Sequence, residues 1–176
     1  MIGNFIADFV KGNKKNDYPQ RIRRGIELHR QIDFYTDQHP VTAESKNRLY
    51  PKHHKYAGVI VDLFYDHFLA KNFKLYSEKS LKEFAAATYE TITSYHAILP
   101  ENVRAFLPYM IEYDWLSNYA TIEGIGRSLA GLGRRVAFRN RMDEAVFDLE
   151  ENYAEFEGEF RRFFPQLITF ALLKRE

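Results

Sequence analysis

Apolar residues in this chain recur at spacings of three and four, and nowhere do they alternate long enough to make a half-buried strand. Ile22, Ile26, His29 and Asp33 keep that rhythm with Ile32 alongside, which predicts a helix from about Ile22 to Tyr35. Pro19 can precede that helix but not sit within it, because its ring removes a backbone donor and crowds the preceding turn. Val59, Leu63, Phe64 and Phe68 form a second apolar face, predicting a helix from about Lys55 to Lys71 with Pro51 in the loop before it. A third helix is expected from Leu81 to Ala97, favoured by Ala85–Ala87 and ended near Pro100. Residues 101–119 read as shorter helices broken around Pro108, and Gly124, Gly126, Gly131 and Gly133 then interrupt the pattern as loop or close-packing positions. A long helix is expected from Phe138 to Phe163, stopped by Pro165. The pattern predicts an all-α, compact multi-helical domain of roughly seven to nine helices, a single unit over residues 1–176 without repeats or linkers.

Composition narrows the chemistry. The chain has no cysteine, which excludes a disulfide scaffold, a thiolate metal site and a cysteine nucleophile. Aromatic residues make up 16%, and 176 residues suffice to bury about 70% of the extended surface in one core. No apolar run reaches the roughly 18 residues a membrane span needs, and MIGNFIADFVKG lacks the features of a secretory signal, so no membrane insertion and a cytoplasmic location are expected. The glycines do not form a phosphate loop, since no Gly-Lys-Ser or Gly-Lys-Thr closes the run. No serine lies in a recognisable nucleophile turn.

Charge is divided unevenly, with 15 basic and 9 acidic residues in 1–82 against 10 and 15 in the remainder. Lys11, Lys14, Lys15, Arg21, Arg23 and Arg24 form the densest basic stretch, either a solvated face or a surface that steers an acidic partner. Nucleic acid is not expected as a partner, because no recognised binding motif accompanies the patch.

Two polar blocks carry the chemistry. His29 and Asp33 lie four positions apart, so on a helix they project from neighbouring turns of one face and can share a divalent cation; Asp37 extends the spacing by another turn. The structural alternative is an imidazole capped by Asp33, with Asp37 a loop acceptor. Asp62 and Asp66 repeat the spacing amid Val59, Ile60, Val61, Leu63, Phe64 and Phe68, where two negative charges are costly without a cation or dense hydrogen bonding. His67 points about 100° around that helix from Asp66, and Asp8 is a further oxygen donor if tertiary packing delivers it, or otherwise a cap or surface acid. Such a mixed set suits Mn, Mg, Fe or Zn. His39, His53, His54 and His96 are expected in surface or capping roles.

GNFIADFVKG at 3–12, GIELHRQIDFYTDQHP at 25–40 and VDLFYDHFLAKNF at 61–73 together resemble the bacterial acyl carrier protein phosphodiesterase (acyl carrier protein hydrolase) family. The resemblance continues through DWLSNY at 114–119, Gly124–Arg135 and FRRFFP at 160–165, and so covers nearly the whole chain. It implies a helical fold related to the HD-type metal phosphohydrolases and a role in fatty acid biosynthesis and lipid metabolism. The implied reaction is metal-dependent hydrolysis of the phosphodiester joining 4'-phosphopantetheine to a serine of holo-acyl carrier protein, with manganese the leading cofactor. Carried onto this sequence, it places Asp8, Asp62 and His67 in catalysis and His29, Asp33, Asp66 and Asp62 on metal, with Asp37 as a neighbour. The six basic residues of 11–24 then meet the acidic carrier. Family members usually carry a short helical segment before the first block, so an N-terminally short pocket is expected. The competing readings are a metal phosphohydrolase of nucleotides or other small phosphodiesters, and a noncatalytic carrier-binding protein.

Overall fold

The computed structural model describes residues 1–175, which form ten α-helices joined by turns and short 3-10 segments, with no strand among the described residues. They are α1 (Ile2–Ile6), α2 (Gln20–Gln38), α3 (Pro40–His53), α4 (Ala57–Lys71), α5 (Leu81–Ser94), α6 (Glu101–Glu112), α7 (Trp115–Asn118), α8 (Ile122–Gly133), α9 (Ala145–Glu151) and α10 (Tyr153–Arg175). The all-helical expectation holds, as do the positions of α2, α4 and α5. No helix among the described residues is long and apolar enough to cross a membrane.

The departures share one cause, which is that tertiary burial outweighs local propensity. Pro51, Pro108 and Pro165 all lie inside helices rather than in breaks. Each costs a hydrogen bond and about 3 kcal/mol locally. In α10 the same helix buries Phe156, Phe160 and Phe163, which offsets that loss. The glycine-rich segment is likewise helical: α8 buries Ile125 and Leu129 completely, and the Thr121 side chain caps it by accepting from the Gly124 amide. The expected helix over 138–163 is two helices separated at Asn152, whose side-chain amide donates to the Asp148 carbonyl.

Two hydrophobic cores lie under these helices. One is almost wholly aliphatic, built on Ile2, Ile6, Ile22, Ile26, Ile92, Val103 and Leu107 from α1, α2, α5 and α6. The other is rich in aromatic rings, with Phe64, Tyr65, Phe68, Phe156, Phe160 and Phe163 from α4 and α10 packed on α3, α8 and α9. α2 joins them, since its first half enters the aliphatic core while Tyr35 near its end packs on the aromatic one. Both polar blocks lie on helices, α2 and α4, that pack on α3 and α10.

His39 and His53 are buried rather than on the surface. His39 nonetheless caps α3, accepting from the Val41 amide at 3.2 Å. His53 pairs with Asp148 at 2.8 Å.

Candidate functional site

The close approach of α1 and α2 builds the first part of the site. A Cβ added to Gly3 would lie 2.0 Å from the Ile22 carbonyl, and one on Gly25 3.0 Å from the Gly3 Cα, so the two backbones meet only because both residues are glycine. The chain then turns through a 3-10 segment, Ala7–Phe9, that presents Asp8 to α2. Arg30 fixes that turn, donating from Nη2 to the Val10 carbonyl at 2.6 Å and to the Gly12 carbonyl at 3.3 Å. Helical spacing alone gives Gly3, Gly25 and Arg30 no role. Their signal in the sequence is subtler: small residues in both blocks of a motif pair, and an arginine directly after the histidine.

His29 and Asp33 share one face of α2, as their spacing requires. The His29 Nε2 faces two carboxylate oxygens at once, Asp8 Oδ1 at 3.0 Å and Asp33 Oδ2 at 3.2 Å. One ring nitrogen can give only one proton, and the hydrogen bond goes to Asp8, while Asp33 meets the ring as a nearby charge. The hydrogen bond to Asp8 raises the His29 pKa, opposed by burial and supported by the Asp33 charge. The same bond lowers the pKa of Asp8. Asp33 moves the other way: burial raises its pKa, and the nearby Asp8 and Asp37 charges add to the rise against the pull of His29. One ligand atom from each of Asp8, His29 and Asp33 lies within 4.8 Å of the other two.

Asp62 and Asp66 project from α4, with Asp62 in the field of Asp8, Asp33 and Asp37 and Asp66 in that of Asp62, but neither joins the converged ligand atoms of Asp8, His29 and Asp33. Neither accepts a hydrogen bond from any described residue. Both residues are exposed, so solvent reaches them. Desolvation, helped by the charges of Asp37, Asp33 and Asp8 and opposed by Lys46, pushes the Asp62 pKa up to about 6. Desolvation and then the Asp62 charge push Asp66 up to about 7. The carboxylates thus form a series running from Asp8 and Asp33 past Asp62 to Asp66. Asp37 borders it with its charge partly met by Lys46, whose Nζ is 3.5 Å from Asp37 Oδ1.

His67 faces elsewhere. Its Nδ1 lies 2.9 Å from the Tyr119 carbonyl and its Nε2 lies 2.8 Å from the Tyr153 hydroxyl, which also receives the Lys71 ammonium at 2.8 Å. Burial lowers its pKa, consistent with a neutral ring donating from Nδ1 and accepting at Nε2. Both nitrogens are engaged in packing α4 on α10 and the α7–α8 turn, so the structure does not bring His67 to the carboxylates.

Of the basic stretch, Lys11, Lys14, Arg21 and Arg24 are exposed, Arg23 is half-buried, and Lys15 is paired with Glu27 at 2.6 Å. The patch follows the Asp8 turn into the first turns of α2. Arg21 is twelve residues from Asp33, about 18 Å along the helix axis.

The donor set fits a divalent cation. It offers one imidazole nitrogen and two carboxylates already converged, with uncompensated negative charge alongside, a combination of the N/O type that first-row metals and magnesium accept. In this structure the His29 Nε2 lies between the two carboxylates.

Fold and site define a helical protein with an aspartate–histidine cluster capable of holding a cation. Comparison with known proteins gives the family. The model of the family described as "Acyl carrier protein phosphodiesterase" matches residues 1–167. Proteins of that name from Klebsiella pneumoniae (strain 342), Enterobacter sp. (strain 638) and Photorhabdus laumondii are 33%, 31% and 30% identical to the chain. The alignments cover 96%, 99% and 96% of this chain and 88%, 91% and 85% of those proteins. No solved structure gives a significant match. The chain belongs to the acyl carrier protein phosphodiesterase family, and that membership together with the Asp8, His29 and Asp33 cluster supports an enzymatic role as a hydrolase.

Proposed function

We propose that this protein hydrolyses the phosphodiester between 4'-phosphopantetheine and a serine of holo-acyl carrier protein, with a divalent cation, manganese foremost, held by Asp8, His29 and Asp33. The observation carrying this reading is the convergence of those three side chains in a chain that matches the family over nearly its full length. The relation to HD-type metal phosphohydrolases belongs to the same reading, because histidine and aspartate are presented from adjacent turns of packed helices.

A bound cation would supply Lewis-acid stabilisation of a phosphoryl oxygen. The remaining work falls to the chain. Asp62, the more readily ionised of the α4 pair, takes a proton from the attacking water. Asp66, pushed up to about 7 and so about half protonated at neutrality, gives its proton to the departing seryl oxygen. Water oxygen bonds to phosphorus as the bond from phosphorus to the seryl oxygen breaks, leaving apo-carrier with a free serine and 4'-phosphopantetheine. Two neighbouring carboxyls that both titrate near neutrality can divide acid and base roles between them. Asp37 with Lys46 borders the pocket, and the basic residues from Lys11 to Arg24 attract the acidic carrier in the cytoplasm, the compartment in which fatty acids are built on it.

The test is direct. Purified protein, holo-carrier and Mn2+ are incubated and the carrier is weighed intact by mass spectrometry. The reading expects apo-carrier and stoichiometric free 4'-phosphopantetheine. Unchanged holo-carrier, with metal occupancy verified, contradicts it.

A further inference from the structure

A cleft of about 790 Å3 opens between α4, the α6–α7 turn and α8, and none of the catalytic groups described above accounts for it. It lies within the range of roughly 300–1,000 Å3 typical of small-ligand pockets. Leu63, Tyr113, Trp115, Tyr119 and Leu132 give it walls that are more apolar than polar. Leu63 directly follows Asp62 and is three residues before Asp66, so the cleft begins on the same stretch of α4 as the acid pair. Tyr119 closes the connection, since its ring lines the cleft and its hydroxyl lies within the field of Asp66.

We infer that this cleft receives the uncharged, amide-bearing pantetheine chain of the substrate, running from the phosphate at the aspartates toward the rim at Arg134. This rests on the holo-carrier reading above. Part of the charge on the cleft is engaged within the protein, while Glu112 and Arg134 have no ion pair among the described residues, so it is the predominantly apolar wall that favours an uncharged occupant. Arg127 pairs with Glu123 at 2.5 Å and donates to Asn118, Arg135 lies over the Trp115 ring at 5.8 Å, and Asp114 accepts from the Tyr89 hydroxyl at 3.0 Å. A slender chain with a few amides suits such walls: its methyl and methylene groups meet the aromatic rings, and its polar atoms remain near the open side.

Trp115, the only tryptophan in the chain, reports on the cleft without any turnover. Titrating the intact protein with pantetheine is expected to change Trp115 emission saturably, whereas AMP, a nucleotide of comparable size, is expected to bind at least tenfold more weakly. Gly131→Phe supplies the blocking variant. A Cβ there meets only the Arg134 guanidinium, at 3.9 Å, so the added ring projects from α8 without a backbone clash. Its pantetheine affinity is expected to fall at least tenfold and its KM for holo-carrier to rise correspondingly, with helical circular dichroism retained. The wild-type titration decides the matter even if the variant fails to fold. No response to pantetheine, or an equal or tighter response to AMP, overturns the inference. Carrier turnover without a Trp115 response contradicts the cleft assignment alone, while a response without turnover contradicts the proposed reaction and leaves the cleft assignment standing.

Discussion

The α2 cluster and the α4 pair are both sets of aspartates four residues from a partner on a helix, but their charge balance differs. Around α2, one imidazole sits between Asp8 and Asp33, lowering the pKa of the first through a hydrogen bond and acting on the second through its charge. On α4, Asp62 and Asp66 have no such partner, and desolvation raises both, helped at Asp62 by the charges of Asp37, Asp33 and Asp8 and at Asp66 by the charge of Asp62. The contrast separates two tasks that similar spacing hides. A converged cluster of two carboxylates and one imidazole is suited to give up the His29 proton for a cation, and a pair with elevated pKa values is suited to move protons.

The largest effect expected from breaking the contrast is at α2. Asp33→Ala and His29→Ala should each lower kcat/KM for holo-carrier by about 10²–10³-fold or more and weaken Mn2+ binding in parallel, read by mass-resolved turnover and calorimetry. Asp66→Asn should lower turnover by about 10–100-fold while leaving most cation affinity, which would separate the two sets; equal losses of both would merge them.

The cation-free stability of the α4 pair has a definite sign with pH. A carboxyl whose folded pKa is raised binds more protons folded than unfolded, so its ionisation destabilises the fold as pH rises from about 4 toward 7. Asp66→Asn should therefore stabilise the cation-free protein at pH 8 by about 1 kcal/mol, a value discounted for solvent contact, and the gain should vanish near pH 4. The check is denaturant melts across that range.

His67→Ala should cost about 1–3 kcal/mol of stability by leaving the Tyr119 carbonyl and Tyr153 hydroxyl without their partner, with cation affinity unchanged. Retained stability with lost turnover would return His67 to catalysis. The smallest effect belongs to the basic surface: Lys14→Glu should raise KM for the carrier a few-fold at low salt, and the difference should shrink as salt is added.

Much of the contrast is legible in the sequence. The i,i+4 spacing places His29 with Asp33 and Asp62 with Asp66 because helical geometry is local. The arrival of Asp8 is not legible in the same way, because it depends on the contact of Gly3 with Gly25 across two helices. Adjacency in sequence also groups His67 with Asp66, yet the 100° step per residue turns it away, to where Tyr119 and Tyr153 engage it. The proline and glycine positions mislead for a related reason. Pro51, Pro165 and the α8 glycines carry local penalties, and burial of residues such as Phe160 and Leu129 outweighs them. The cleft has no sequence signature, since its walls come from separate elements.

The account stands or falls on where a cation settles. Crystals soaked in Mn2+ and measured at the manganese absorption edge should show an anomalous peak bounded by Asp8, His29 and Asp33, with Asp62 and Asp66 at its edge. A fully occupied peak elsewhere, or none in active protein saturated with Mn2+, would contradict it.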